Sequence, residues 1–171
     1  GVCVLVSLKI FKIVLVGLLG IIVTFDPHKL TAQGHETTLV AQGPIVMDVM
    51  GGLDWMRCSI GQVLNEERCS GKPLLIPYAT VDEVISRIQS NTGSRWRLPT
   101  LNELERLVVE KDSPPMIATG IFPDTYQGLY WTSDINWIVR ERWWGVNFYT
   151  GHRYGRVAGD QTLAVRLVLD R

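Results

Sequence analysis

The chain has 171 residues, with 17 Lys and Arg against 17 Asp and Glu and only three cysteines, which leaves room for one domain and a short appendage. The balanced charge gives no support for nucleic acid as a partner. Residues 1–32 hold Lys9, Lys12 and Lys29 against Asp26, so the rest keeps 14 of the 17 basic and 16 of the 17 acidic side chains and is mildly acidic.

In chain order, Lys9 and Lys12 precede an uninterrupted apolar stretch from Ile13 to Val23. This pattern is a basic n-region and an apolar h-region of secretory length, with Ala32 and Gly34 as small residues near a cleavage point. Residues 1–34 are therefore expected to be a cleaved export signal. A retained membrane anchor is the rival reading, although the run falls short of the roughly 20 residues a spanning helix needs. Residues 35–45 are polar without a clear period and read as a linker or irregular arm, leaving 46–171 as the domain. Ile45 to Val49 and Leu53 to Met56 read as strands about a Gly51-Gly52 turn. Cys58 and Cys69 then close a polar loop. In an exported chain this reads as a disulfide contributing on the order of 3 kcal/mol. A two-cysteine metal site is the rival, but no Cys-x-x-Cys or paired histidine accompanies it.

Pro73 to Pro77 is extended, and Thr80 with Glu83 has the spacing of a capping box, opening a helix whose Val81, Val84, Ile85 and Ile88 face the core. Gly93 suits the left-handed position that ends it. Trp96 to Leu98 is extended before Pro99. Thr100 and Glu103 form a second capping box, starting a helix with Leu101, Leu104, Leu107 and Val108 on one face and ending before Pro114-Pro115. Short strands follow at Leu129 to Thr132, Trp143 to Phe148, Arg153 to Val157 and Leu163 to Leu169, with a hairpin turn at Tyr149 to His152. The last strand alternates Leu163, Val165, Leu167 and Leu169 with Ala164, Arg166 and Val168, and reads as half-buried. The layout is α+β, two helices packed on short antiparallel strands.

Taken together, these motifs give the chain a specific likeness. Gly52-Leu53-Asp54-Trp55-Met56-Arg57-Cys58-Ser59-Ile60-Gly61-Gln62 with Cys69, Trp96-Arg97-Leu98-Pro99-Thr100 with Glu103-Leu104, and Ile121-Phe122-Pro123 come first. Tyr130-Trp131-Thr132-Ser133, Trp144-Gly145-Val146-Asn147-Phe148 and Ala164-Val165-Arg166-Leu167-Val168 complete the set. Across about residues 46–171 the chain resembles the Lcl C-terminal domain family, named after a collagen-like bacterial surface adhesin. The resemblance implies a C-type-lectin-like fold, an exported location in bacteria, and a role in adhesion or glycan binding.

The residues that stand out chemically are Trp137, Arg140, Arg142, Trp143, Tyr149, His152, Arg153, Tyr154 and Arg156, within twenty positions. With Thr150-Gly151 at the turn centre, alternation puts Trp144, Val146 and Phe148 on a core face and Asn147, Tyr149, His152, Tyr154 and Arg156 on the other. Aromatic rings stack on sugar faces and guanidinium pairs bidentately with sulfate or carboxylate, so an anionic, glycosaminoglycan-like glycan is the expected ligand. The competing reading makes these arginines solvated strand residues, with the tryptophans packed beneath the loops.

Calcium has little support, because Asp124, Asp134, Asn136 and Asp160 are scattered and the tripeptides of calcium-dependent lectins are absent. No metal or cofactor is expected. An enzyme is not expected either. The formylglycine-generating enzymes that share the implied fold rely on cysteines in the C-terminal half, and none follows Cys69 here. His28, His35 and His152 have no nucleophile and orienting acid at convincing spacing. Trp55 and Trp96 are expected to cover the core, and Arg97 or Arg57 to pair with Asp48 or Asp54. The primary expectation is thus an exported adhesion or ligand-binding domain. A structural module of a surface appendage or envelope assembly, using the same hairpin as a protein interface, is the alternative. Partners are then a glycan or another surface protein, with self-association left open and membrane contact only through residues 1–34.

Overall fold

A computed structural model describes residues 38–171; the expected export segment lies outside the described residues. Three antiparallel sheets and two helices make a mixed α+β fold. The first sheet holds β1 (Leu39–Gln42), β2 (Ile45–Asp48), β3 (Leu53–Met56) and β9 (Val168–Asp170), in the order β1-β2-β3-β9. β1 corrects the reading of residues 35–45 as an irregular arm. It pairs with β2 from Leu39↔Asp48 to Gln42↔Ile45, and Leu39 and Ala41 pack against the core. Four residues are too few to show a period, and the strand owes its shape to the partner that β2 supplies.

β4 (Val63–Asn65) and β5 (Arg68–Ser70) form a small hairpin. The Cys58–Cys69 disulfide ties it to the end of β3. Gly61 in this loop has φ +91°, and a Cβ there would stand 2.6 Å from the backbone nitrogen of Leu74, so only glycine fits.

The two helices treat their capping sequences differently. α1 (Val81–Thr92) ends on Gly93 at φ 68°, as expected. Its Thr80, however, makes no side-chain cap bond, because a 3-10 turn at Tyr78–Thr80 leads directly into the helix and holds Thr80 in helical backbone. The Thr80 hydroxyl donates to the Pro77 carbonyl instead, and Glu83 pairs with Arg87 on the solvent side. A side chain caps well only from extended backbone. Thr100 has that backbone, with ψ 164°, and α2 (Leu101–Glu105) opens on a complete capping box with Glu103. α2 is far shorter than the sequence suggests. Leu107 is still buried, but Val108 bridges to Ile117 and Val109 bonds to Met116, turning the chain out of the helix.

The third sheet consists of β6 (Leu129–Ile135), β7 (Arg142–Asn147) and β8 (His152–Ala158), in that order, so β8 is an edge strand. Successive residues of β6 serve two different cores. Tyr130 packs with Trp55, Phe122, Phe148 and Leu104 in one, and Trp131 with Trp96, Leu98 and Val157 in the other. The segment 163–169 runs between them. Ala164 and Val168 join the first core, and Leu163, Val165 and Leu167 the second. This overturns the half-buried reading: Leu163 to Val168 are all buried, and only Val168–Asp170 is regular strand. The remainder is held by single bridges, Ile76↔Leu163 and Tyr130↔Ala164, while Val168 in the strand also bridges Arg97.

Candidate functional site

The nine aromatic and basic residues expected to form one surface are divided between the two ends of β7, which at about 3.4 Å per residue lie some 17 Å apart. Trp137 and Arg140 lie in the loop joining β6 to β7, with Arg142 at the start of β7. Tyr149 and His152 flank the opposite turn, with Tyr154 and Arg156 further along β8.

At the turn end, Asn147 and His152 pair across the hairpin. The Asn147 carboxamide oxygen accepts from the Tyr149 N–H at 2.8 Å, so this side chain shapes the turn and is not left free for a ligand. Gly151, at φ +75°, seats the turn on Val108 and Met116; a Cβ would approach the Val108 Cγ1 to 3.3 Å. Tyr149 and Tyr154 are 55% and 40% exposed, and the Tyr154 hydroxyl reaches back to that of Thr150 at 3.4 Å. Tyr149, His152, Tyr154 and Arg156 are all exposed on this hairpin.

Arg153 is exposed as well, but stands on the other face of β8. β8 pairs it with Val146, which is fully buried on the core side. Its guanidinium bonds the Glu105 carboxylate at 3.3 Å and lies 5.8 Å from the centre of the Trp144 ring. The expected faces are corrected here too. Val146 and Phe148 are core residues as read, but Trp144 is half-buried, its ring resting on Gly155, where a Cβ would meet it at 2.6 Å. Trp143 packs inward on Tyr78, with ring centres 4.5 Å apart, and on Trp131. A bulge between Trp143 and Gly145 shifts the register by one residue, which plain alternation cannot anticipate.

At the other end the organising residue is Asn136, which sequence reasoning had weighed only as a scattered calcium candidate. It is buried, donates to the Gly155 carbonyl, and its oxygen accepts from the N–H groups of Ile138 and Val139 at 2.9 and 3.3 Å. An asparagine before a loop that bonds the backbone two residues on is a recognisable turn signal. Trp137 and Ile138 project from this loop, 87% and 70% exposed. The Arg142 guanidinium donates to the Glu141 carbonyl.

Two of the other acidic candidates are structural. Asp124 accepts from the Cys69 N–H and from Arg68, clamping the disulfide loop. Asp134 accepts from the Leu101 N–H at the start of α2. Among the described residues no group of three or more His, Cys, Asp or Glu is placed to hold a metal ion.

Arg97 and Arg57 do form ion pairs, with partners other than those expected. Arg97 bonds Glu103 through two nitrogens at 2.9 Å and also Asp170, while Arg57 reaches Glu67. Asp48 and Asp54 pair instead with Arg106 and Arg171. Hydrogen bonding from Arg97 holds both the Glu103 and the Asp170 carboxyls below their ordinary range. Trp55 and Trp96 are buried, as expected. A groove not foreseen from the sequence lies between the disulfide loop and α1, lined by Ile45, Met56, Ile60, Leu64, Ile88 and Trp96.

The described residues make a small, disulfide-tied α+β domain. The chain belongs to the Lcl C-terminal domain family, whose sequence profile matches residues 44–169. No curated protein and no solved structure matches it. The disulfide is consistent with an oxidising, extracytoplasmic compartment.

Proposed function

We propose that this is an exported bacterial adhesion or ligand-binding domain of C-type-lectin-like fold, which binds anionic glycan on the β7–β8 hairpin. The observation that carries the reading is the exposed set Tyr149, His152 and Tyr154 beside a turn anchored on Val108 and Met116, with Arg156 exposed further along β8, opposite the start of β7. Two phenol rings offer stacking area, and Arg156, which has no carboxylate partner among the described residues, offers a guanidinium to sulfate or carboxylate. Arg153 contributes less, because Glu105 already neutralises it. No catalytic step belongs to this reading.

The test is retention on immobilised heparin across a salt gradient. Arg156→Ala and Tyr154→Ala each elute at lower salt than the parent, while Arg153→Ala changes elution less. Equal elution of all four proteins would refute the assignment.

The open edge of β8 favours a second reading, a structural module that pairs with another surface protein through this strand. A defined oligomer in light scattering, with no heparin retention, would select it.

A further inference from the structure

We infer that β1 is the pairing edge of a reversible homodimer, in which Leu39–Gln42 of two copies run antiparallel about a two-fold axis and join their four-stranded sheets. This edge belongs to a different sheet from the β7–β8 hairpin, and the inference does not depend on the glycan reading. The backbone sets the geometry. In the β1–β2 ladder the Val49 N–H donates to the Thr38 carbonyl, and from that bond the antiparallel alternation turns the peptide groups of Val40 and Gln42 toward β2. Those of Leu39 and Ala41 point outward. Among the described residues, neither the N–H nor the carbonyl of Leu39 or Ala41 has a hydrogen-bond partner. A second β1 laid on this edge, with Leu39 of each copy opposite Ala41 of the other, pairs every one of these outward N–H groups with a carbonyl. That register sets Val40 against Val40 on the axis, as a non-hydrogen-bonded pair with Cβ atoms about 4.5–5.5 Å apart.

The side chains suit the same register. Val40 is 48% exposed and lies across from Met47 on β2, so pairing extends one apolar row through both copies. On the opposite face Leu39 and Ala41, half-buried at the rim of the core, meet across the axis. The choice of a second copy as occupant follows from charge. Edges that stay unpaired are protected by charged residues, proline or a covering segment, and the other edges of the two larger sheets have such protection. Arg97 bridges to Val168 of β9, Ala164 bridges to Tyr130 of β6, and β8 carries His152, Arg153 and Arg156. β1 reads Leu-Val-Ala-Gln, without charge or proline. A charged foreign strand gains no ion pair here, whereas a second β1 is neutral and repeats the same spacing of donors and acceptors. So short a strand buries less than the roughly 1,000 Å² of a lasting complex, and the dimer is weak, with a dissociation constant on the order of 100 μM.

The experiment is sedimentation equilibrium of the full chain from about 10 μM to about 1 mM, in which the mass rises from monomer toward dimer. Val40→Lys and Val40→Glu each raise the dissociation constant about tenfold or more, because like charges then meet on the axis. An equimolar mixture of the two variants recovers the dimer, since lysine now faces glutamate. That recovery reads β1 itself and shows that both variants are folded. A dimer that persists in either variant alone belongs to another surface, such as the β8 edge, and overturns the inference. A monomer mass at every concentration overturns it too, as does a mixture that stays monomeric. Heparin plays no part in these measurements, so the outcome for the Arg156 and Tyr154 variants leaves them untouched.

Discussion

Arg166 is fully buried and, among the described residues, has no carboxylate partner. Its guanidinium instead donates to the carbonyls of Met56 and Arg57 and to the hydroxyls of Ser59 and Thr125, and lies 4.7 Å from the centre of the Phe122 ring. Burial lowers its pKa, yet an arginine remains charged across the working range. Four separated acceptors and an aromatic face replace the counter-ion. Replacing it with alanine strands those acceptors in a dry core, and Arg166→Ala is expected to lose about 3–5 kcal/mol in urea denaturation. Arg166→Lys, with a compact ammonium that cannot span the same acceptors, recovers only part of that loss. Glu103 governs a different property. Because Arg97 holds its carboxyl below the ordinary range, the unfolded chain takes up a proton first. The resulting stability is present at neutral pH and is lost as pH falls below the ordinary carboxylate range, through the lower folded value. Thermal midpoints measured between roughly pH 6 and pH 3 should fall steeply for the parent and less steeply for Glu103→Gln. The sequence shows Arg166 only as the polar member of an alternating strand. Nothing local distinguishes a guanidinium buried among carbonyls from one in water, because three of its four acceptors lie more than a hundred residues away.

Among the elements, the disulfide hairpin carries the plainest prediction. Bridging Cys58 and Cys69 restricts a short loop in the unfolded chain, so reduction, or Cys58→Ser/Cys69→Ser, should cost about 3 kcal/mol in the denaturation midpoint. Asp124, through its bonds to the Cys69 N–H and Arg68, keeps β5 in place even then, so the reduced protein is expected to retain a cooperative transition. The two capping sequences show what an element reveals before it is seen. Thr100 and Glu103 form their box because Pro99 keeps the approach extended. Thr80 and Glu83 have the same spacing, but the 3-10 turn at Tyr78–Thr80 places Thr80 in helical backbone and removes its acceptor role. Spacing is written in the sequence, whereas the path of the preceding chain is settled by packing. The β7–β8 hairpin teaches the same lesson. Gly151 announced the turn, but one bulged residue decided which of Trp143 and Trp144 went inward.

For the whole molecule, the governing feature is the division into two cores by residues 163–169. Both cores are incomplete without that segment, since it supplies Ala164 and Val168 to one and Leu163, Val165 and Leu167 to the other. A chain ending at Thr162 should therefore lack a cooperative unfolding transition and show no dispersed amide spectrum, whereas loss of Arg171 alone should leave both. The α+β class, the strand-rich C-terminal half and the family were legible from motif order. The two-core arrangement was not, because it depends on one segment being covered on both sides. The candidate surface was legible as a composition and not as a place, since its members occupy both ends of β7.

A fold closed by its C-terminal segment also has a definite order of assembly. Trp55 on β3 pairs with Val168 on β9, so the central contacts of the domain span most of its length and cannot form before residues 163–169 are present. Contacts so distant in sequence make folding slow and late. Until residues 163–169 take their place, both cores stay open to water, and the domain closes in a single late step.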